Sequence, residues 1–411
     1  MTRSIDATPK ISLQIVLLSI CMGLALAPAD ATSTRTAAER KDTDAVVQAL
    51  CGKSVALLGE PPVHGFGKTE EFKVELVRRL VDDCHFNALF VESGIYDYVN
   101  IEKKLKLGQD VTDSMIAAAI GGIWATAEVK PLIPFLRHKL EAGGFTLAGL
   151  DDQLGRGTYA QREMPSDLVQ HLQGDERSQC LATLQKYTLW QYSDDAPYGP
   201  AENARIVGCL DRIEARLSPG ERKASRADED RAMIDSLKRF FARNLTEEFT
   251  KRGDPDAGWN ERDRSMYLNF RWLLSRLPRH SKIIVWAATV HVAKAMSGAT
   301  GFERKIPLGS YIRRDFNDRA FALGFSAYSG SYAFTGQPVR QLSAAPDTSL
   351  EAQSFANRDA DTVYLSLEQL RRFGSIEARP LGTTFTTARW ADVLDGLVVF
   401  REERAPEYLP R

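Results

Sequence analysis

Two carboxylates and two histidines stand where apolar runs of the sequence end, and such positions can bring side chains together for chemistry. Glu60 follows "VALLG", and His64 comes four residues later in "GEPPVHG". Glu92 ends "NALFVE", and His291 follows "SKIIVWAATV". An ionised carboxylate is costly to bury without a partner. We therefore interpret Glu60 and Glu92 as members of a functional site.

This set of residue types is suited to the activation of water. An imidazole accepts a proton from water at neutral pH, and a neighbouring carboxylate orients the ring and stabilises its charged form. We predict that His64 and Glu60 act in this way and that Glu92 and His291 belong to the same catalytic set. The sequence has no G-x-S-x-G elbow, so a serine nucleophile is poorly supported, and Ser93 is kept only as a reserve.

A phosphate-binding loop is the competing interpretation of this stretch. Gly67-Lys68-Thr69 opens a predicted helix, as in such loops. The pattern requires a glycine five positions before Gly67, but Pro62 stands there. Proline has no N–H to donate to a phosphate, which favours the hydrolytic interpretation.

The elements that position these residues are predicted to be a strand, a helix and a second strand. Residues 54–59 and "NALFVES" predict buried strands, and residues 69–83 predict a helix with Thr69 as its N-cap. "FTLAGLDDQ", "SKIIVWAATVH" and "RAFALGFSAYSG" repeat the strand pattern. We predict an α/β fold with a mostly parallel central sheet, flanked by helices and carrying a large helical insertion.

Parallel sheets bind ligands beyond the carboxyl ends of their strands, and this rule adds further candidates. Asp151 ends the third predicted strand, although the pair Asp151-Asp152 equally suits a cap of the next segment. Arg262 and Asp263, in "NERDRSM", lie in the insertion and could bring a cation to the carboxylates. Trp124 lies close in sequence to the proposed site elements. We predict that Asp151, Arg262, Asp263 and Trp124 bind the substrate.

Composition limits the class of partner. The chain has 411 residues, of which 44% are hydrophobic, and its 53 Lys and Arg against 54 Asp and Glu give a net charge of -1. No overall basic excess attracts polyanions, so we do not expect a nucleic-acid partner.

The first residues are typical of a secretory signal. Arg3 and Lys10 precede "ISLQIVLLSICMGLALA", and Ala29-Asp30-Ala31 suits a small-x-small cleavage site. The apolar run is shorter than a membrane-spanning helix needs. We predict a periplasmic or secreted protein without stable membrane insertion after cleavage, divided into a signal peptide (1–31), a first half of the core (32–164), a helical insertion or cap (165–280) and a second half (281–411).

Four cysteines remain after that cleavage, and their spacing does not suit a zinc cluster. An even number in an oxidising compartment suggests two disulfides. We prefer Cys51 with Cys84 and Cys180 with Cys209 among the three connectivities, because the first two cysteines flank one βα unit.

In the order "LLGEPPVHG", "FVES", "GLDDQ", "ERDRSMYLN" and "IIVWAATVH", the sequence resembles the erythromycin esterase family. The resemblance implies an α/β core with added helices and hydrolysis of an ester or a macrolide lactone by histidine-activated water. It implies catalytic roles for Glu60, His64, Glu92 and His291, with Arg262 and Asp263 matching an Arg-Asp pair. The chain departs from the family pattern by one extra residue between Glu60 and His64 and by Ala288 in place of a second histidine.

The resemblance leaves two alternatives open. Relatives with the Gly-Glu…His element include metal-binding and proteolytic proteins. A divalent-metal-dependent hydrolase or peptidase would use Glu60, His64, Glu92 and His291 as ligands, whereas our first interpretation needs no cofactor. A non-catalytic envelope protein would use the same residues only to bind a ligand.

Overall fold

Short apolar runs form the strands of a mostly parallel central sheet, which confirms the predicted fold class. The computed structural model describes residues 37–188, 199–217, 226–245 and 255–410, and the predicted signal peptide lies outside them. The strands are β1 (Val55–Leu58), β2 (Ala88–Gly94), β3 (Thr146–Asp151), β4 (Ile283–Trp286), β5 (Ala320–Tyr332), β6 (Arg340–Leu342), β7 (Thr362–Ser366), β8 (Ser375–Ala378), β9 (Thr386–Arg389) and β10 (Gly396–Glu403).

The order of the main sheet is β3-β2-β4-β1-β5-β10-β7, with β6 paired to β5. All neighbours run parallel except β10 with β7 and β5 with β6. Leu58 of β1 is level with Trp286 of β4, and Trp286 is level with Val91 of β2. The residues that follow these three strands therefore emerge together at the carboxyl edge of the sheet.

Both faces of the sheet are buried, which explains why its strands read as continuous apolar runs. Successive side chains of a strand point to opposite faces. Ala56 and Leu58 accordingly pack in one core, and Val55 and Leu57 pack in the other.

The helices cover these faces. They are α1 (Ala37–Cys51), α2 (Gly67–Asp82), α3 (Ile95–Lys106), α4 (Asp113–Ile120), α5 (Leu132–Ala142), α6 (Tyr159–Arg162), α7 (Met164–Leu168), α8 (Gly174–Thr188), α9 (Pro200–Glu214), α10 (Arg226–Leu245), α11 (Pro255–Arg276), α12 (Thr289–Val292), α13 (Leu308–Phe316), α14 (Leu350–Phe355), α15 (Leu367–Phe373) and α16 (Trp390–Val393).

Helices α6 to α11 lie between β3 and β4 in the chain, in the region where the insertion is predicted. A third apolar cluster packs several of them against α3, through residues such as Val99, Leu184, Ile213 and Phe241. Helix α11 also packs against the sheet, where Met266 and Phe270 join the second core. The division into the predicted domains stays a prediction.

Helix α2 begins at Gly67, two residues before the predicted start, and Phe66 rather than Thr69 occupies the N-cap position. The carboxylate of Glu403, at the end of β10, accepts hydrogen bonds from the backbone N–H groups of Lys68 and Thr69 and from Oγ1 of Thr69. A residue 334 positions away in the chain thus caps this helix. Local sequence could not indicate such a partner.

The four cysteines form the preferred pairs. Cys51 pairs with Cys84 and Cys180 with Cys209, with Cα atoms 5.1 and 5.4 Å apart. The first disulfide joins the end of α1 to the chain just after α2. Within the described ranges, no helix combines the length and the apolar character that crossing a membrane requires.

Candidate functional site

Glu60 and His64 form a pair in the turn that follows β1. The backbone N–H of His64 donates to the carbonyl of Pro61 at 3.0 Å, and His64 has a φ of 48°, in the left-handed region. This turn folds the ring back, so that Nδ1 of His64 lies 2.7 Å from Oε1 of Glu60. A positive φ is uncommon outside glycine and often accompanies function. The extra residue between Glu60 and His64 is therefore accommodated without separating them.

The next residue, Gly65, packs the turn against the segment around Ala333, which follows β5. A Cβ atom on Gly65 would lie 1.6 Å from the carbonyl oxygen of Ala333, so this close approach requires glycine. The backbone N–H of Ala333 donates to the carbonyl of Gly65 at 3.1 Å, and the hydroxyl of Tyr408 donates to the carbonyls of His64 and Ala333. These contacts fix the backbone that carries the imidazole.

Glu60 is buried, and three side chains surround its carboxylate. Its Oε1 accepts from Nε1 of Trp124 at 2.7 Å as well as bonding to His64, and its Oε2 accepts from Nζ of Lys73 at 2.9 Å. Burial alone would raise the pKa of Glu60, but Lys73 and then His64 lower it below its usual value. Glu60 is therefore an anion within its network.

His64 has one ring nitrogen committed and one available. Because a carboxylate oxygen only accepts, Nδ1 is the donor of this bond, and in the neutral imidazole Nε2 then carries the lone pair. No described residue bonds to Nε2, and 14% of the side chain is exposed. The edge of the ring meets Trp124, with ring centroids 5.1 Å apart. The arrangement can take a proton from a water molecule at Nε2.

A second histidine lies between two carboxylates. Nδ1 of His291 is 3.0 Å from both oxygens of Asp263, and Nε2 is 3.1 Å from Oε1 of Glu92. Burial would lower the pKa of His291, but Asp263 and Glu92 raise it to about 9. The ring of Trp259 stacks on the imidazole at 4.8 Å. His291 is thus a buried cation at neutral pH, unsuited to act as a base.

Arg262 completes this second cluster. Its Nη2 donates to Oε1 of Glu92 at 2.9 Å and to Oδ2 of Asp151 at 2.5 Å, and Nε donates to the same aspartate. Although burial opposes ionisation of both carboxylates, His291 holds the pKa of Glu92 well below its usual value and Arg262 lowers that of Asp151. Arg262 and His291 therefore lie among the carboxyl groups of Glu92, Asp151 and Asp263, and Nη1 of Arg262 is also 3.4 Å from Nε2 of His291.

The segment between β4 and α12 connects the two clusters. The backbone N–H of Ala288 donates to Oε2 of Glu92 at 2.7 Å, and that of Thr289 donates to the carbonyl of Glu60 at 2.6 Å. Ala288 is fully buried, and it contributes through its backbone rather than its side chain. The carboxyl ends of β1, β2 and β4 are thereby tied together.

The structure brings the predicted site residues to one edge of the sheet, in these two clusters. Trp124, predicted to contact substrate, donates to Glu60, and Asp263 binds His291. Asp152 lies outside these clusters, because its two carboxylate oxygens accept hydrogen bonds from Arg243 of α10 at 2.6 and 2.7 Å. The individual roles in catalysis and substrate binding stay predictions.

Lys73 and Trp259 are members of the site that sequence reasoning missed. Lys73 is fully buried, and its Nζ also lies 4.2 Å from the centroid of Trp286. A signal was present, because Lys73 shares a helix face with Leu76, Val77 and Leu80, and a cation in an apolar stripe needs a buried partner. Trp259 had no comparable signal.

Three of the four alternative metal ligands, Glu60, Glu92 and His291, are already engaged with protein groups. Both oxygens of Glu60 and both oxygens of Glu92 accept hydrogen bonds. In the described part of the chain, no group of three or more His, Cys, Asp or Glu side chains is arranged to hold a metal ion. The carboxylates of Glu60 and Glu92 therefore form ion pairs and hydrogen bonds with neighbouring protein groups.

Comparisons with known proteins cover most of the chain. A family model described as "Erythromycin esterase" matches residues 81–403. The match includes Glu92, Arg262 and His291, whereas Glu60 and His64 lie before its first residue. YbfO of Bacillus subtilis (strain 168), provisionally named a hydrolase, is 23% identical over 347 residues, covering 79% of this chain and 76% of its own length.

Three solved structures share the fold. A succinoglycan biosynthesis protein has a TM-score of 0.68 at 13% identity, and a Bacillus cereus protein has a TM-score of 0.65 at 17% identity; each match covers 90% of this chain and 93% of the other. The erythromycin esterase EreC, in its open conformation, has a TM-score of 0.62 at 16% identity over 88% of this chain and 93% of its own.

Proposed function

Because the chain belongs to the erythromycin esterase family, we propose that it is a hydrolase that cleaves a carboxylic ester or a lactone with water activated by His64. The observation that carries this proposal is the orientation of the His64 ring. Nδ1 is held 2.7 Å from Glu60, while Nε2 is left without a described partner in a side chain that is 14% exposed.

The proposed hydrolysis uses the Nε2 atom of His64 as the base. Nε2 of His64 accepts a proton from water as the water oxygen forms a bond to the carbonyl carbon, and the carbonyl electron pair moves to its oxygen. Glu60 stabilises the imidazolium that results. The tetrahedral oxyanion then collapses, the bond to the leaving oxygen breaks, and that oxygen takes the proton from Nε2.

The second cluster holds the cations Arg262 and His291 among three carboxyl groups, and one of these cations can face a substrate. Arg262 is the more accessible cation, with 15% of the side chain exposed against 1% for His291. We assign Arg262 to orient the substrate carbonyl and to stabilise the oxyanion. Asp151, Glu92 and Asp263 position the two cations, since preorganised charge is most effective where it cannot move during the reaction.

Export to the periplasm or the medium is part of the proposal. Two disulfides are typical of proteins from oxidising compartments, and the charged start, apolar run and small-x-small site at the beginning of the sequence support a secretory signal. The substrate would be a small ester or lactone that reaches that compartment.

A substrate screen with matched histidine variants tests the function. The protein is assayed against carboxylic esters, lactones including a macrolide, and peptides. On the substrate found, His64→Ala should lower kcat by about 10²- to 10⁴-fold, the usual contribution of general-base catalysis. His138→Ala, at an exposed histidine of α5, should leave kcat unchanged. Turnover of peptides alone, or wild-type turnover by a folded His64→Ala protein, would overturn the proposal.

A further inference from the structure

A cavity lies at the amino edge of the sheet and is lined by basic side chains. It has a volume of about 540 Å³. Ser54 precedes β1, Lys282 precedes β4 and Arg319 precedes β5, so this cavity and the Glu60–His64 pair lie at opposite edges of the sheet. Its basic lining residues are Lys53, Arg279, His280, Lys282 and Arg319.

Among the described residues, no carboxylate forms an ion pair with these basic side chains. The described residues that line the cavity include no Asp or Glu. The two lysines donate instead to carbonyl oxygens: Lys53 to Asp318 at 2.8 Å, and Lys282 to Cys51 and Cys84 at 2.5 and 2.6 Å. Neither lysine forms an ion pair with a described carboxylate, and neither Arg279 nor Arg319 does so. Elsewhere in the described chain, ion pairs of Arg and Lys are frequent, as at Arg276 and Arg313.

The fold holds this positive charge in place. Lys282 is fixed by the carbonyls of both half-cystines of the Cys51–Cys84 disulfide, and its aliphatic stem leads to an ammonium 4.5 Å from the centroid of Phe86. Burial lowers the pKa of Lys282, and no neighbouring carboxylate opposes that effect. Like charges that converge in a concave site repel one another, and a bound anion would offset that repulsion.

The donor types indicate which anion fits. Arginine presents a planar fork that matches phosphate oxygens, and lysine supplies a compact point charge. Ser54, Ser275 and Ser281 also line the cavity, but the hydroxyls of Ser275 and Ser281 donate to the carbonyls of Trp272 and Pro278, so the cationic side chains are the donors that an anion would meet. The volume of the cavity lies in the range of small-molecule sites, which leaves room for an organic group attached to the anion.

We propose that this cavity binds a phosphate group, free or carried by a phospholipid headgroup, at a site separate from the candidate active site. The proposal does not depend on esterase activity, because the two sites lie at opposite edges of the sheet and share none of the residues named for either.

Binding of pyrophosphate to the full chain tests the site. Calorimetric titration at low ionic strength should show saturable binding, and added salt should weaken it because the contacts are ionic. Arg279→Glu and Arg319→Glu should each weaken binding by about tenfold or more, since each removes a charge-assisted bond and adds repulsion. Arg340→Glu makes the same charge change at an exposed arginine of β6 and should bind like the wild type.

Sedimentation with vesicles distinguishes the sources of phosphate. Binding to phosphatidylglycerol vesicles, but not to phosphatidylcholine vesicles, that Arg279→Glu abolishes and Arg340→Glu keeps would assign a lipid headgroup. Pyrophosphate binding without vesicle binding would assign a free phosphate compound. Binding of neither probe, or equal loss in the Arg340→Glu control, would overturn the proposal. Ester hydrolysis by Arg279→Glu should equal that of the wild type.

Discussion

The Nζ atom of Lys73 lies 2.9 Å from Oε2 of Glu60, and 0% and 2% of these two side chains are exposed. The imidazole of His64 bonds to the other oxygen of the same carboxylate, so Lys73 and His64 share Glu60 as a partner. Burial of two charges is costly, so removal of either one leaves the other without compensation. The orientation of the proposed base therefore depends on a lysine of helix α2.

We predict that Lys73→Met destabilises the protein and lowers its activity. Loss of one partner of a buried pair costs about 3 to 5 kcal/mol of unfolding free energy. Urea unfolding measures that loss, and kcat on the ester substrate should fall because Glu60 loses a partner that positions it.

Two further variants define the origin of the effect. Lys68→Met, on the same helix at a half-buried position, should behave like the wild type. The double variant Lys73→Met with Glu60→Gln should be more stable than Lys73→Met alone, because it carries no uncompensated charge. Equal stability of the wild type and Lys73→Met would show that the pair is not needed.

We predict that the contribution of His291 to stability depends on pH. Burial would lower its pKa, but Asp263 and Glu92 raise the pKa to about 9 in the folded state, above the ordinary value of 6.5. The stabilisation is therefore complete below pH 6.5 and is lost as the pH rises through about 9. A shift of this size corresponds to about 3 kcal/mol.

Unfolding free energies of the wild type and His291→Asn, measured across this pH range, test the prediction. The stability gap between the two proteins should shrink as the pH rises. His138→Asn, at an exposed histidine, should show no gap that depends on pH. A constant gap for His291→Asn would mean that His291 is not a buried cation.

We predict that a chelator leaves activity unchanged. The oxygens of Glu60 and Glu92 already accept hydrogen bonds from His64, Lys73, Arg262 and backbone groups, and the proposed reaction assigns the attacking water to His64. Treatment with EDTA followed by dialysis should preserve kcat/KM. Loss of activity that a divalent ion restores would favour the metal-dependent alternative instead.

We predict that the Cys51–Cys84 disulfide stabilises the fold. A loop with a sequence separation of 33 residues corresponds to about 3 to 4 kcal/mol in the chain-entropy estimate. The double variant Cys51→Ala with Cys84→Ala should lose stability of this order in urea unfolding. Peptide mapping without reduction should recover this pair and Cys180–Cys209, whereas four alkylatable thiols in the native protein would contradict both assignments.

We predict that the exported protein begins at or near Thr32. The charged start, the apolar run and Ala29-Asp30-Ala31 are together typical of a cleavable signal. Mass spectrometry of the protein from an envelope or extracellular fraction measures the N-terminus. Retention of Met1 on most molecules, in the cytosol, would contradict the prediction.

The sequence alone was sufficient for the fold class and for the strands β1 to β5, but it did not indicate the short strands β6, β8 and β9. Strands buried on both faces must be apolar throughout, as in "VALL" and "IIVW", so they stand out from their surroundings. Since parallel strands share one carboxyl edge, polar residues that follow them, such as Glu60 and Glu92, could be assigned to one place.

Only the tertiary structure decided which charges meet. Asp151 and Asp152 are adjacent in sequence, yet Asp151 binds Arg262 and Asp152 binds Arg243. Asp151 is the last residue of β3 and Asp152 is the first residue beyond it, and helices from distant parts of the chain determine what each one reaches. The packing of distant elements likewise pairs Lys73 with Glu60 and Glu403 with the start of helix α2. Such pairings depend on how whole elements pack, which the local pattern of residues does not contain.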